Sequence, residues 1–209
     1  MILLCIVTIF SKSTTANADD RYVKLCERYF TEFAEDYGKF GQKDGFTYLY
    51  SDKKNTATIV AIPMEQKKVA VPEKINGKTV TKIELMDVFS CSSNYYFRDE
   101  FYGEHEDNPV PKVEYLSIPK TVKVINIYAG IGLTEGYCGE LQSYLVHLKK
   151  FNVASANKWY RSYKGMLYTK NGKKLLLVPR KYMAKTVKVK KGTTKIADFA
   201  FSFCTNIKK

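Results

Sequence analysis

The chain has no apolar run long enough to cross a bilayer. Its longest, Met1 to Phe10, reaches about half of the roughly twenty residues a membrane helix needs. Also missing are a G-x-S-x-G elbow, a phosphate-cradling glycine loop, a convergent carboxylate pair and any Cys and His set at zinc-finger spacing. Those absences remove the usual sequence signs of nucleophilic, phosphoryl-transfer and metal-centred catalysis. Acid is almost lacking from the last third. Gln142 to Lys209 holds 17 basic residues against one acidic residue, Asp198, a net of +16, whereas Asp19 to Leu141 holds 16 against 20, a net of −4. That third is also poor in arginine and carries no RNA-binding signature, so nucleic acid is not the expected partner.

What is present is a phrase that recurs with its apolar residues in the same places. Leu116-Ser117-Ile118-Pro119 leads to Val122 and Ile125, and Val187-Lys188-Val189 leads to Ile196 in the register that Ile118 has to Ile125. An earlier version runs Val69-Ala70-Val71-Pro72 and then Val80 to Ile83, with a few residues inserted after the proline. Alternation of β-branched and polar residues predicts short strands at Val69/Val71, Leu116/Ile118 and Val187/Val189. Proline just after a strand ends its ladder because it has no N–H. A unit of this size cannot bury its apolar face alone, so the repetition implies stacking into a solenoid. Ile83, Ile125 and Ile196 are then expected along one line. With 209 residues, 45% hydrophobic and 14% aromatic, the chain can build a substantial core in one domain, or one domain with an appendage.

The copy Val187 to Ile207, VKVKKGTTKIADFAFSFCTNI, resembles the BspA-like leucine-rich repeat, whose units read roughly I-x-I-P-x-x-V-x-x-I-x-x-x-A-F-x-x-C-x-x-L. Val187, Val189, Ile196, Ala200, Phe201, Cys204 and Ile207 fill its apolar positions; Lys190 replaces the proline and Thr193 the valine. In the first copy Ile83 stands eight residues before Cys91, with Phe89 one place late. The middle copy keeps Leu116, Ile118, Pro119, Val122, Ile125 and Ala129, then departs until Cys138 and Leu141. The resemblance runs from about Phe46 to Lys209. It implies a leucine-rich-repeat solenoid, mainly β with short strands and irregular turns, interrupted by insertions at about 95–112 and 127–137. Phe151 to Val153, then Asn157, Trp159 and Tyr160, then Gly165 to Tyr168, Asn171-Gly172 and Leu175 to Pro179 resemble the hairpin that such repeats often carry, here at about 157–179. Asn-Gly between apolar runs is itself a hairpin signal. The last copy stops at Lys209 without a capping unit, so the domain reads as truncated at its C-terminus.

The N-terminal segment reads as an export signal: an apolar stretch, a small polar stretch, and Ala16-Asn17-Ala18 as a peptidase site with cleavage after Ala18. A basic segment before the apolar stretch is absent. Residues 19–41 follow, with Tyr22, Cys26, Tyr29, Phe30, Phe33 and Tyr37 at three- and four-residue spacing behind Asp19 and Asp20, the pattern of an amphipathic helix serving as a cap or a pro-segment. Phe46 to Ile62 reads as a hairpin turning at Asp52 to Asn55.

Of five cysteines, Cys5 leaves with the signal, and Cys91, Cys138 and Cys204 fall at the repeat's own inward position. Equivalent positions in non-adjacent units lie too far apart to bridge, so free buried thiols are expected. Cys138 with His105 or His147 has no supporting catalytic motif. Asp99, Glu100, Glu104, His105, Glu106 and Asp107 cluster in the first insertion but lack the alternation of a calcium loop. The same insertion carries Tyr95, Tyr96, Phe97, Phe101 and Tyr102, which either contact a partner or fold back on the solenoid flank.

The sequence therefore points to a secreted or surface-displayed interaction module, not an enzyme, with no cofactor and no metal. Its expected partner is a protein or glycan, with anionic envelope polymers, acidic membrane surfaces and acidic proteins fitting the charge. Lysines that merely keep short strands from aggregating fit it as well. The alternative is a targeting or substrate-binding appendage of an exported enzyme. Thiol titration of the denatured, unreduced mature chain should find four reactive groups, Cys26, Cys91, Cys138 and Cys204; finding none overturns the free-thiol reading.

Overall fold

The computed structural model describes residues 39–85, 110–126 and 144–208, and among them the architecture is mainly β, built of short strands. The chain opens with an antiparallel meander of β1 (Lys39–Lys43), β2 (Phe46–Ser51) and β3 (Thr56–Ala61). Asp44 and Gly45 both adopt left-handed backbone, which a two-residue turn with strand-matching twist requires. Asn55 closes the second turn by donating its N–H to the Asp52 carbonyl at 3.2 Å. Residues 39–41, assigned from sequence to the end of a helix, lie instead in β1. Their pairing explains the difference. Gly41 faces Tyr48 across the ladder, and a Cβ at that position would stand 2.5 Å from the Tyr48 hydroxyl, so the glycine admits the tyrosine ring. The rest of the expected helix lies outside the described residues.

From β3 onward, successive passes of the chain lie on one another in two parallel ladders. One pass comprises β4 (Lys68–Ala70), a small hairpin of β5 (Lys74–Ile75) and β6 (Lys78–Ile83), the next β7 (Tyr115–Ile118) and β8 (Val124–Ile125), and a third begins at β9 (Lys150–Val153). The first ladder runs β3, β6, β8 with Ile59, Ile83 and Ile125 in register; the second runs β4, β7, β9 with Val69, Leu116 and Phe151 in register. All six of those side chains are buried in one core. Each contributes about 1.5–3 kcal/mol on leaving water, and the alternate residues point out.

Both ladders end against a third sheet, β10 (Tyr160–Tyr163), β11 (Met166–Thr169) and β12 (Lys174–Leu177). The free edge of β9 is consumed there: the Phe151 N–H donates to the Gly165 carbonyl at 2.8 Å and the Val153 N–H to the Ser162 hydroxyl at 3.3 Å. On the other ladder the Ile125 N–H donates to the Tyr160 hydroxyl at 3.0 Å. Met166, Leu167 and Tyr168 are all fully buried because β11 is covered on both faces. Leu167 and Leu177 belong to the first core, while Met166, Tyr168 and Leu175 belong to a second with Val178, Tyr182, Ala197 and Ala200.

Beyond this wall a short second stack begins, with β13 (Lys195–Ile196) parallel to β12 and Ile196 in register with Leu175. Two expectations are corrected here. Ile196 does not continue the line of Ile83 and Ile125; it belongs to a different sheet and is 54% exposed. Val187 to Val189 form no strand, and Val189 is 43% exposed. The cause is the occupied edge of β9, which leaves a further rung nowhere to pair. The third rung of that ladder is Phe151 to Val153, an apolar-polar-apolar triplet followed by Ala154 in place of the proline.

The junction is locked by Asn157, a fully buried polar side chain. Its amide donates to the carbonyls of Pro119 at 2.8 Å and Val122 at 2.9 Å, and its oxygen accepts from the backbone N–H groups of Trp159 and Tyr160 at 2.9 and 2.8 Å. One side chain thus satisfies four backbone groups on two passes. Asn157→Ala should lower unfolding stability by about 3 kcal/mol, since it orphans buried donors and acceptors. Asn157→Asp should do comparable harm by turning oxygen toward two carbonyls. Denaturant unfolding of the three proteins measures both effects.

Candidate functional site

The residues singled out from sequence as a partner surface, Tyr95, Tyr96, Phe97, Phe101 and Tyr102, lie outside the described residues, as do Ala18, the acidic insertion, Cys26, Cys91 and Cys138. Cys204 is described. It is a free, half-buried thiol against the second core, its Sγ 3.5 Å from the Val178 carbonyl and 3.6 Å from that of Pro179. Burial pushes its pKa up to about 11 against the opposing pull of Arg180, so at neutral pH it is a protonated packing group, not a nucleophile. Among the described residues no three His, Cys, Asp or Glu side chains converge as a metal set.

A site that sequence reasoning missed lies where the first meander meets the small hairpin. A cavity of about 330 Å³ is lined by Phe40, Gly41, Gln42, Tyr48, Tyr50, Asp52, Asn76 and Lys78. Alternation along β2 puts Tyr48 and Tyr50 on one face, with ring centroids 6.0 Å apart. The opposite wall comes from the Asn76-Gly77 turn between β5 and β6, in which both residues are left-handed. That geometry carries the Asn76 amide onto the Tyr48 hydroxyl, to which it donates a hydrogen bond. The missing side chain at Gly41 lets the Tyr48 ring lie against that strand.

Asp52 stands at the rim between two ammonium groups, Lys78 at 2.7 Å and Lys39 at 2.9 Å. The hydrogen bond from Lys78, then that from Lys39, holds its carboxyl down to about 2. Lys39 is raised in return, chiefly by its hydrogen bond to Asp52. The Lys78 ammonium also lies 5.9 Å from the centre of the Tyr50 ring. The signal available in the sequence was Asn76-Gly77 beside Tyr48-Leu49-Tyr50, a turn dipeptide and paired aromatics whose proximity depends on the parallel pairing of β3 with β6.

A second surface is the outward face of the ladder β4, β7, β9. Register sets Lys68, Tyr115 and Lys150 in one row and Ala70, Ser117 and Asn152 in the next. Farther along, Lys174 and Lys195 are neighbours in register on β12 and β13. Glu114 pairs with Lys149 at 2.8 Å near the edge of that face, and their hydrogen bond lowers the pKa of the acid and raises that of the base. His147 stands in the loop before β9 and does not line the cavity. Among the described residues no helix is long and apolar enough to cross a membrane.

No family model matches the chain, and no curated protein matches its sequence. Solved structures do show likeness. The pneumococcal vaccine antigen PcpA is 14% identical over 82% of this chain and 64% of that one, with a TM-score of 0.35. A leucine-rich repeat protein from Eubacterium ventriosum is 17% identical over 78% and 56%, with a TM-score of 0.37. A leucine rich cell surface protein from Faecalibacterium prausnitzii is 15% identical over 83% and 70%, with a TM-score of 0.28. The chain thus spans less than two thirds of the length of the first two. At these scores no residue correspondence is fixed, and function is argued from the chain's own geometry.

The Asp52 triad gives a direct check of the cavity rim. A depressed carboxyl contributes stability that is complete above the ordinary value of 3.8 and is lost as pH falls through about 2. Carboxyl-carbon NMR of the native chain should put the Asp52 midpoint near 2. Lys78→Met should move it up further than Lys39→Met, because the Lys78 hydrogen bond is the larger cause.

Proposed function

We propose that the chain is a leucine-rich-repeat solenoid displayed outside the cell, acting as a non-catalytic module that holds a protein or glycan partner on its repeat surface. The observation that supports this best is the pair of parallel ladders, in which separate passes of the chain align outward side chains in rows. Lys68, Tyr115 and Lys150 form such a row from three distant stretches of sequence. A flat face of aligned polar and aromatic groups suits an extended partner better than a small substrate that must be enclosed.

Charge narrows the choice of partner. The net of +16 over Gln142 to Lys209 creates a positive field at one end of the molecule. Lys174 and Lys195 stand side by side in parallel register, an arrangement that costs stability through like-charge repulsion. An anionic envelope polymer relieves that repulsion by accumulating along the lysine rows. On this reading the apolar leader, cleaved after Ala18, directs the chain out of the cell.

The test is retention of the purified chain on envelope fractions of its source cell. Retention should exceed that of an unrelated protein of equal net charge and weaken as salt rises. The paired variant Lys68→Glu/Lys150→Glu should lower it by about tenfold, which is about 1.4 kcal/mol. Retention no better than the charge-matched control overturns the reading.

A further inference from the structure

The cavity between β2 and the Asn76-Gly77 turn lies off the lysine rows and has a chemistry of its own. Its lining has one carboxylate, Asp52, one ammonium, Lys78, two amides, Gln42 and Asn76, and three aromatic rings, Phe40, Tyr48 and Tyr50. The two charges hold each other at 2.7 Å, and Lys39, just outside the lining, holds Asp52 from the rim at 2.9 Å, so neither charge of the lining stands unpaired for a ligand of opposite sign. An anionic ligand would meet Asp52 and a cationic one would meet Lys78. A purely apolar ligand would strip water from a carboxylate and an ammonium without replacing its hydrogen bonds. What remains is an uncharged molecule rich in hydroxyl groups, with C–H faces to lay on aromatic rings.

The donor and acceptor inventory agrees. Asp52 is held ionised and accepts only; the amide nitrogen of Asn76 donates to the Tyr48 hydroxyl and that of Gln42 to the Thr47 hydroxyl at 3.3 Å, so both amides are oriented by the fold. A ring of alternating C–H and O–H groups needs that mixture on one side and a flat aromatic surface, here the half-buried Tyr50 ring, on the other. The volume, about 330 Å³, lies near the lower limit of ligand sites and is suited to one ring, not a chain of them. We propose that this cavity is a subsite for a single neutral sugar ring, a hexose or N-acetylhexosamine unit of a glycan. The inference rests on the glycan half of the interaction reading above and gives it a specific site.

The experiment is an NMR titration of the whole chain with glucose, galactose, mannose, N-acetylglucosamine and, as the charged comparison, glucuronate. At least one neutral sugar should shift the signals of Tyr48, Tyr50 and Asn76 in a saturable way and bind more tightly than glucuronate. Tyr50→Ala should weaken that binding about tenfold or more, whereas Tyr50→Phe, which keeps the ring, should retain it. Asn76→Gly removes the amide while keeping a residue at ease with the left-handed backbone at φ 45°, and it too should weaken binding, which covers the case in which Tyr50→Ala fails to fold. The proposal is overturned if no neutral sugar saturates, if glucuronate binds best, or if Asn76→Gly and a folded Tyr50→Ala bind as the parent does. Envelope retention that persists when sugar binding is absent leaves the module reading standing and removes this cavity from it.

Discussion

A parallel ladder leaves at each end a row of backbone N–H and C=O groups, and burial of those groups without partners costs free energy comparable to a lost hydrogen bond. In this molecule both ladders meet that requirement in one place. The N–H groups of Phe151 and Val153 on one ladder, and of Ile125 on the other, are taken up by Gly165, Ser162 and Tyr160 of the third sheet. Asn157 sits at the same junction and satisfies four backbone groups on two passes. The rest of the architecture follows from where these edges close. There are two cores instead of one, β11 is buried on both faces, and the final repeat pairs with β12 instead of joining the long ladders.

That arrangement divides the surface into regions of different character. Before the junction, acids and lysines balance and form discrete pairs, such as Lys82 with Glu84 and Lys149 with Glu114. After it, lysine dominates almost without opposition. The first region holds an aromatic-lined cavity with Asp52 between Lys39 and Lys78 at its rim, and the second is strongly basic. On the reading proposed above, a glycan carrying both neutral rings and acidic groups would engage both regions.

Much of the first two passes was legible in sequence. Val69, Leu116 and Ile118 are buried strand residues, Val122 is fully buried, and the turn from Asp52 to Asn55 stands between β2 and β3. Local alternation sufficed there because neighbouring passes offer open edges. It failed at Val187 to Val189, where the alternation is present but the edge is already filled. It assigned Phe151 to Val153 to the hairpin segment and did not single it out as a rung, although the triplet alternates and its partner β7 was available. The cavity was not legible at all. Its two walls are each ordinary hairpin sequence, and only the pairing of β3 with β6 brings the Asn76 turn against Tyr48.

The sequence by itself determined the small-scale grammar. Short strands, their inward residues, the two-residue turns and the excess of lysine at one end are local properties, set by side-chain alternation, backbone preference and composition. Tertiary structure decided how many ladders there are, where each stops, and which distant side chains share a surface. Those outcomes depend on competition for a limited number of strand edges, and no stretch of chain carries information about whether its partner's edge has already been taken.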